Sequence, residues 1–229
     1  MSDRMTSLMA AVRRNNLTDA CKLLQERADV TKCDHLQRNV VFYLHDEVEV
    51  EMMPLLNQFS CDFDHKDSND ETPLMYFTRL KKTNIIKKLL AFCDVSMVDN
   101  QGRSALHVAA MLNYKSICQL LVEKSPVRSL SRRTSGNFSC VALACMFGSA
   151  DVLKLERLAE MLSGHSNDSD HDSLLNLAIL SENLDVIKNV LNNAENVDTL
   201  ARQKAHRQLN KSSMVKACDT RSVSVSNTN

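Results

Sequence analysis

A motif that returns six times at a nearly fixed interval is the strongest constraint on this chain. Thr72-Pro73-Leu74-Met75-Tyr76-Phe77 has counterparts in Ser104-Ala105-Leu106-His107-Val108-Ala109-Ala110 and in Thr6-Ser7-Leu8-Met9-Ala10-Ala11. Looser copies begin at Asn39, Ser139 and Ser173, so the starts 6, 39, 72, 104, 139 and 173 differ by 33, 33, 32, 35 and 34 residues. A period of this length means one supersecondary unit per repeat, which buries its apolar face only by stacking on its neighbours.

A second anchor keeps the same register. Ala28-Asp29-Val30, Cys61-Asp62-Phe63 and Cys93-Asp94-Val95 lie 33 and 32 residues apart. Between the two anchors run amphipathic stretches such as Leu17–Leu24, Asn84–Leu90 and Leu184–Leu191, with apolar residues at helical spacing. With 4% aromatic residues, no Trp, 4 Gly and 3 Pro, the chain lacks the turns and strand formers of a sandwich or barrel. The reading is therefore helical. The eight Cys form no CxxC pair and no zinc spacing, so they read as small core residues of a reducing compartment, cytoplasm or nucleus. No apolar run approaches the roughly 20 residues that span a bilayer, and Met1–Ala10 lacks the basic start and apolar core of a secretory signal.

The motif resembles the Thr-Pro-Leu-His-x-Ala signature of the ankyrin repeat family, over about residues 6–200. The strongest copy is Asp99–Ala110 followed by Ile117–Leu121. The resemblance implies an all-α fold, an ankyrin-repeat solenoid of stacked helix-turn-helix units with short β-turn finger loops. Residues 1–200 would form this domain, and 201–229 a basic disordered tail after one helical piece at Leu200–Leu209. Thr or Ser would cap each first helix and Pro73 would suit its first turn. His107 would hydrogen-bond within the repeat rather than act in catalysis.

The same resemblance places binding on the loops that end each repeat and on the inner face of the first helices. The loop residues are Asp34, His35, Arg38, His65, Lys66, Asp67, Asn69, Asp99, Asn100 and Gln101. Those just after the signature are Arg13, Arg14, Asp46, Glu47, Arg79, Leu80, Met111 and Leu112, with Met146 and Phe147 next in the series.

Several segments depart from the pattern. Pro54 interrupts the second helix of repeat two, which should start late, near Met53. Repeat five carries extra residues around Leu155–Ser163, so the stack should be irregular there. Ser125–Phe138 is basic, Ser-rich and poor in apolar residues, and reads as a mobile loop. Its Arg132-Arg133-Thr134-Ser135 and Arg128-Ser129-Leu130-Ser131 resemble basophilic kinase sites, with Ser135 and Ser131 as acceptors. Residues 164–172 lack the glycine and distal Glu of an EF-hand and read as a polar inter-repeat loop.

Charge is zero overall but banded: residues 45–71 carry −8, 72–138 carry +8, 139–200 carry −7 and 201–229 carry +5. Such bands either solvate outer faces or complement a partner and steer its approach. The acidic flanks of the basic band argue against nucleic acid. No GxSxG, HExxH, phosphate loop or dinucleotide fingerprint is present, so no catalytic, metal or cofactor residue is assigned. The expectation is a non-catalytic module, monomeric by default, that binds a protein partner as an adaptor or regulatory subunit. The alternative is a stoichiometric inhibitor similar to those of Rel-type transcription factors, its acidic blocks masking a basic segment.

Overall fold

The computed structural model describes residues 5–126, 130–164, 168–193 and 202–210. The chain divides into two units, Met1–Cys140 and Val141–Asn229. The described residues are helical and contain no strand, only an isolated bridge between Arg133 and Ser139.

In the first unit each repeat is an antiparallel helix pair. The pairs are α1 (Ser7–Arg13) with α2 (Leu17–Gln25), a 3-10 turn (Val40–Tyr43) with α3 (Met52–Gln58), α4 (Pro73–Arg79) with α5 (Thr83–Leu89), and α6 (Ala105–Met111) with α7 (Lys115–Lys124). The signature hydroxyls explain where the first helices start. Thr6 Oγ1 accepts from Met9 N at 3.2 Å and Thr72 Oγ1 from Met75 N at 3.4 Å, satisfying donors that a helix N-terminus leaves free. Pro73 occupies the first helical position, where its missing N–H costs nothing.

Repeat two lacks that chemistry. Asn39 Oδ1 accepts from Val41 N at 3.1 Å, and its Nδ2 donates to Asp62 O at 2.6 Å. Two adjacent Val follow, which resist helix, and only a four-residue 3-10 turn forms. Its second helix starts at Met52, so Pro54 lies in the first turn, where no intrahelical donor is needed.

Chain reversals use left-handed residues in three periodic series. Asn15, Lys81, Asn113, Gly148 and Glu182 follow first helices; Arg27 and Ser60 follow second helices; Gln37, Asp70, Gly102 and Asn137 sit in the loops that end repeats. Most are not glycine, so each accepts a conformational cost of order 1 kcal/mol.

The core of this unit is one column of apolar side chains. Leu8, Met9, Val12, Leu24, Val41, Met52, Met53, Leu56, Leu74, Met75, Ile85, Ile86, Leu89, Ile117 and Leu121 are all at most 2% exposed. Each contributes about 1.5–3 kcal/mol of burial. Cys61, Cys118 and Cys140 are buried among them. Burial pushes the Cys61 thiol up to about 12 and raises that of Cys118 as well, so both are neutral core groups.

Two expectations are corrected. Over residues 130–138 the basic link is not a loose loop: Leu130 is 6% exposed, and Thr134 N donates to Phe138 O at 2.9 Å in a closed turn. The segment reuses the turn of the other repeats, with Thr134 in place of Asp. Residues 127–129, and Arg128 and Ser129 with them, lie outside the described residues.

The second unit contains α8 (Cys140–Met146), α9 (Ala150–Leu153), α10 (Glu156–Gly164), α11 (Asp168–Leu180) and α12 (Leu184–Asn193). The second helix of repeat five is split into α9 and α10, the irregularity its extra residues imply. The other correction is here: α11 is helical from Asp168, so residues 168–172 do not belong to a polar loop. Asn183 Nδ2 donates to Gly148 O at 2.7 Å, tying consecutive helix pairs. Residues 202–210 form a further helix, with Ala205 fully buried; the remainder of the expected tail lies outside the described residues.

Candidate protein-binding groove

The loops that end successive repeats in the first unit are built alike. In Asp34–Arg38, Asp67–Glu71 and Asp99–Arg103 the Asp N–H donates to the fifth residue's carbonyl at 3.0 Å. Each Asp Oδ1 accepts from the N–H two and four residues on: Leu36 and Arg38 at 2.7 and 2.9 Å, Asn69 and Glu71 at 2.8 and 3.1 Å, Gln101 and Arg103 at 2.9 and 2.8 Å. The three Asp are 4–5% exposed. Their carboxylates hold the turns. Neighbouring fingers are joined by backbone bonds, Ser68 N to Leu36 O at 2.9 Å and Ser135 N to Gln101 O at 2.8 Å.

Between the first finger and the ends of the first helices lies an open hollow of about 470 Å³. It gathers six of the residues singled out from sequence, Arg13, Asp34, His35, Arg38, Asp46 and Leu80, with Tyr43, His45, Tyr76 and Lys82. Its floor is aromatic. The Phe42 and Tyr76 rings meet edge-on at 5.5 Å, and Tyr76 and Phe77 at 5.3 Å.

Arginines lie over this floor. The Arg38 guanidinium sits 4.6 Å from the Tyr76 ring centre and 5.9 Å from that of Phe42, and that of Arg79 lies 5.5 Å from the Tyr76 centre. Arg38 Nε is 3.5 Å from Asp67 Oδ2, while Arg79 donates through Nε and Nη2 to both oxygens of Glu71, at 3.1 and 2.8 Å. Tyr43 OH donates to Asp34 Oδ2 at 2.6 Å. Burial opposes ionisation of Asp34, but hydrogen bonds from Tyr43 and from the backbone of Arg38 and Leu36 outweigh it and hold the carboxyl below its ordinary range. Lys82 Nζ donates to Asp46.

The other residues named from sequence lie elsewhere. Arg14 lines a second hollow, of about 430 Å³, at the first repeat with Met5 and Leu23. Glu47, Asn69, Asn100 and Gln101 are exposed, and Lys66 and Met111 half-buried. His65 Nε2 is 2.8 Å from Gln37 O and 3.3 Å from Cys33 Sγ. Leu112 is 41% exposed, at the same helix end as Leu80 one repeat earlier. Ser131 and Ser135 are exposed. His107 is buried: Ser104 N donates to its Nδ1 at 3.2 Å, so Nε2 carries the proton and donates to Arg132 O at 3.2 Å.

Sequence reasoning missed Phe42, Tyr43, Tyr76 and Lys82. Phe42 and Tyr76 occupy signature-helix positions that read as core, and only the shallow 3-10 turn of repeat two leaves them beside an open surface.

Stacked helix pairs that present a row of finger loops beside an open groove define an interaction scaffold. Residues 39–133 match the sequence model of ankyrin repeats in three copies. The chain is 33% identical to inversin of Canis lupus familiaris over 121 residues, 52% of this chain and 11% of that protein. It is 30% identical to neurogenic locus notch homolog protein 1 of Xenopus tropicalis over 125 residues, 52% of this chain and 5% of that protein. The chain thus spans about a tenth of inversin's length and a twentieth of the Notch homologue's. The crystal structure of the human ASB11 ankyrin repeat domain superposes with a TM-score of 0.61 at 14% identity, covering 83% of this chain and 85% of that one. The chain therefore carries ankyrin repeats and takes the ankyrin-repeat fold. Ankyrin repeats mediate protein–protein interaction. No helix among the described residues is long and apolar enough to cross a membrane.

Proposed function

We propose that this chain is a non-catalytic adaptor or regulatory subunit, and that the hollow between Arg13, Arg38, Tyr76 and Leu80 receives a segment of a protein partner. The observation behind this reading is an aromatic floor edged by charged side chains, the composition of a binding hot spot. Leu80, 42% exposed at the rim, is an apolar contact that water does not favour. The neutral thiols of Cys61 and Cys118 fit a reducing compartment, cytoplasm or nucleus. Affinity purification with the full chain, beside Leu80→Asp and a Gln58→Asp control on an exposed site of α3, tests the reading. A partner recovered with the wild type and control but lost with Leu80→Asp is expected. Equal recovery by all three would overturn it. A Rel-type dimer lost on neutralising Asp46, Glu47, Glu49 and Glu51 would instead identify the inhibitor.

A further inference from the structure

The groove's polar groups are not equally available to an occupant. Asp34 has both oxygens committed, Oδ1 to Leu36 N and Arg38 N and Oδ2 to the Tyr43 hydroxyl. Asp46 is paired with Lys82. The Asp67 side chain has no exposure and lies behind Arg38; that of Glu71 is 10% exposed and takes the fork of Arg79. Every acid beside the hollow is covered or matched.

The arginines are different. Arg38 donates through Nε to Asp67, and among the described residues its Nη1 and Nη2 form no hydrogen bond. The guanidinium carbon lies 4.6 Å over the Tyr76 ring centre, and Nε is held near Asp67, with the side chain 20% exposed. Such pre-ordering removes part of the entropy that a free arginine loses on binding. Arg13 lines the same hollow, is exposed, and forms no ion pair with any described residue. Two guanidinium ends therefore face one cavity with donors to spare, and the complement of such an end is a carboxylate held through two parallel N–H···O bonds. Beside them, Leu80 and Leu112 repeat an exposed aliphatic side chain at the same helix end of consecutive repeats, 42% and 41% exposed.

We infer that the groove's occupant is an acidic, aliphatic peptide segment, with an Asp or Glu seated on Arg38 and Arg13 and a Leu-type side chain resting on Leu80. This rests on the groove reading above and adds the partner's chemistry. It runs opposite to a basic segment drawn to the acidic block: the one acid of that block in the hollow, Asp46, already has its cation.

The test is affinity selection of a random peptide library, acetylated and amidated at its ends, on the immobilised full chain. Asp or Glu should be enriched over Asn and Gln, together with Leu, Ile or Met nearby. The consensus peptide should bind about tenfold more weakly to Arg38→Gln, as for loss of a charge-assisted bond, and more weakly to Arg13→Gln and Leu80→Glu. Arg27→Gln, on an exposed turn outside the groove, should leave its affinity unchanged. Arg13 is exposed and forms no ion pair with any described residue, so its variant carries the test if Arg38→Gln unfolds. Enrichment of Lys or Arg, or no acid preference, with binding still lost in Leu80→Glu would overturn the acidic class and leave the groove standing. Acid enrichment insensitive to both arginine variants would also overturn the inference. No enrichment at all, or enrichment indifferent to Leu80→Glu, would sink the groove reading as well.

Discussion

Asp67→Ala probes the framework on which the groove depends. The carboxylate is buried and takes three donors: Asn69 N at 2.8 Å, Glu71 N at 3.1 Å and Arg38 Nε at 3.5 Å. Asn69 is exposed, so water can replace the acid on its N–H; Glu71 is 8% exposed, so its N–H is left without a partner. An orphaned buried donor costs about 1–3 kcal/mol, and the small cavity and freed Arg38 raise the expected loss to about 2–4 kcal/mol. Asp67→Asn keeps the Oδ1 acceptor but puts an amide NH2, which cannot accept, where Oδ2 takes Arg38 Nε, so it should cost less than Ala, about 1–2 kcal/mol. Thr134→Ala is the internal comparison. Its hydroxyl takes a single backbone donor, Phe138 N at 3.2 Å, and about 1 kcal/mol is at stake. Urea unfolding followed by far-UV circular dichroism ranks the three variants. Amide exchange at Asn69 and Glu71 localises the effect, since repeat stacks need not unfold as one unit. If Asp67→Ala costs less than about 0.5 kcal/mol, the turn does not need its side chain. If Asn is as damaging as Ala, charge rather than acceptor geometry holds the finger. Either result refutes the account.

Three other perturbations separate parts of the structure. Burial lowers the pKa of His107, whose Nδ1 must stay bare to accept from Ser104 N; its contribution is complete above the unfolded-state pKa and is lost as pH falls toward the folded one. Urea midpoints of the wild type should therefore fall from pH 7 to pH 5 with a slope of up to about 1.4 kcal/mol per pH unit more than in His107→Gln, and parallel pH profiles would contradict the tautomer. Thr78 Oγ1 is buried without a hydrogen-bond partner among the described residues, so Thr78→Val should be neutral or stabilise by up to about 1 kcal/mol in thermal melts, whereas a loss of that size would reveal a missed partner. Treatment of the full chain with a basophilic protein kinase should place phosphate on Ser135, the exposed hydroxyl after Arg132 and Arg133, and mass spectrometry of Ser135→Ala should show that phosphate gone.

The period was legible because stacking forces the same apolar face on every unit, so Leu8, Val41, Leu74 and Leu106 fall in register. The loops that end the repeats could be placed by the same register, but the residues that reverse the chain could not: their left-handed positions are occupied by Asn15, Lys81, Gln37 and Asp70 rather than glycine, so the usual punctuation is missing. The link at 130–138 hid its finger because Thr134 replaces the Asp that the other three share. The groove was half legible. Helix-end positions placed Arg13, Asp46 and Leu80 beside the hollow, but the aromatic floor depends on the four-residue 3-10 turn of repeat two, where two adjacent Val follow Asn39. Charge counting suffered from what a linear sum omits. Lys82 of the basic block pairs with Asp46 of the acidic one, Arg79 with Glu71, and Lys88 donates to Val48 O. At their boundary the two blocks neutralise each other across the stack.

The finger turns show how one scaffold separates framework from recognition. Position one is Asp34, Asp67, Asp99 and Thr134, and in each the side chain bonds its own turn. Position five is Arg38, Glu71, Arg103 and Phe138, where size and charge change from turn to turn. The backbone N–H and carbonyl of position five close the turn whatever side chain it carries, although Arg103 Nε also donates to Asp99 Oδ2 at 2.7 Å and Arg38 Nε to Asp67 Oδ2 at 3.5 Å. In this chain one of those side chains lines the groove, Arg38, which lies over the Tyr76 ring, while Glu71 takes the fork of Arg79 on the same ring. Exchanging residues at position five should therefore change what the groove accepts, while exchanging position one should change whether there is a groove.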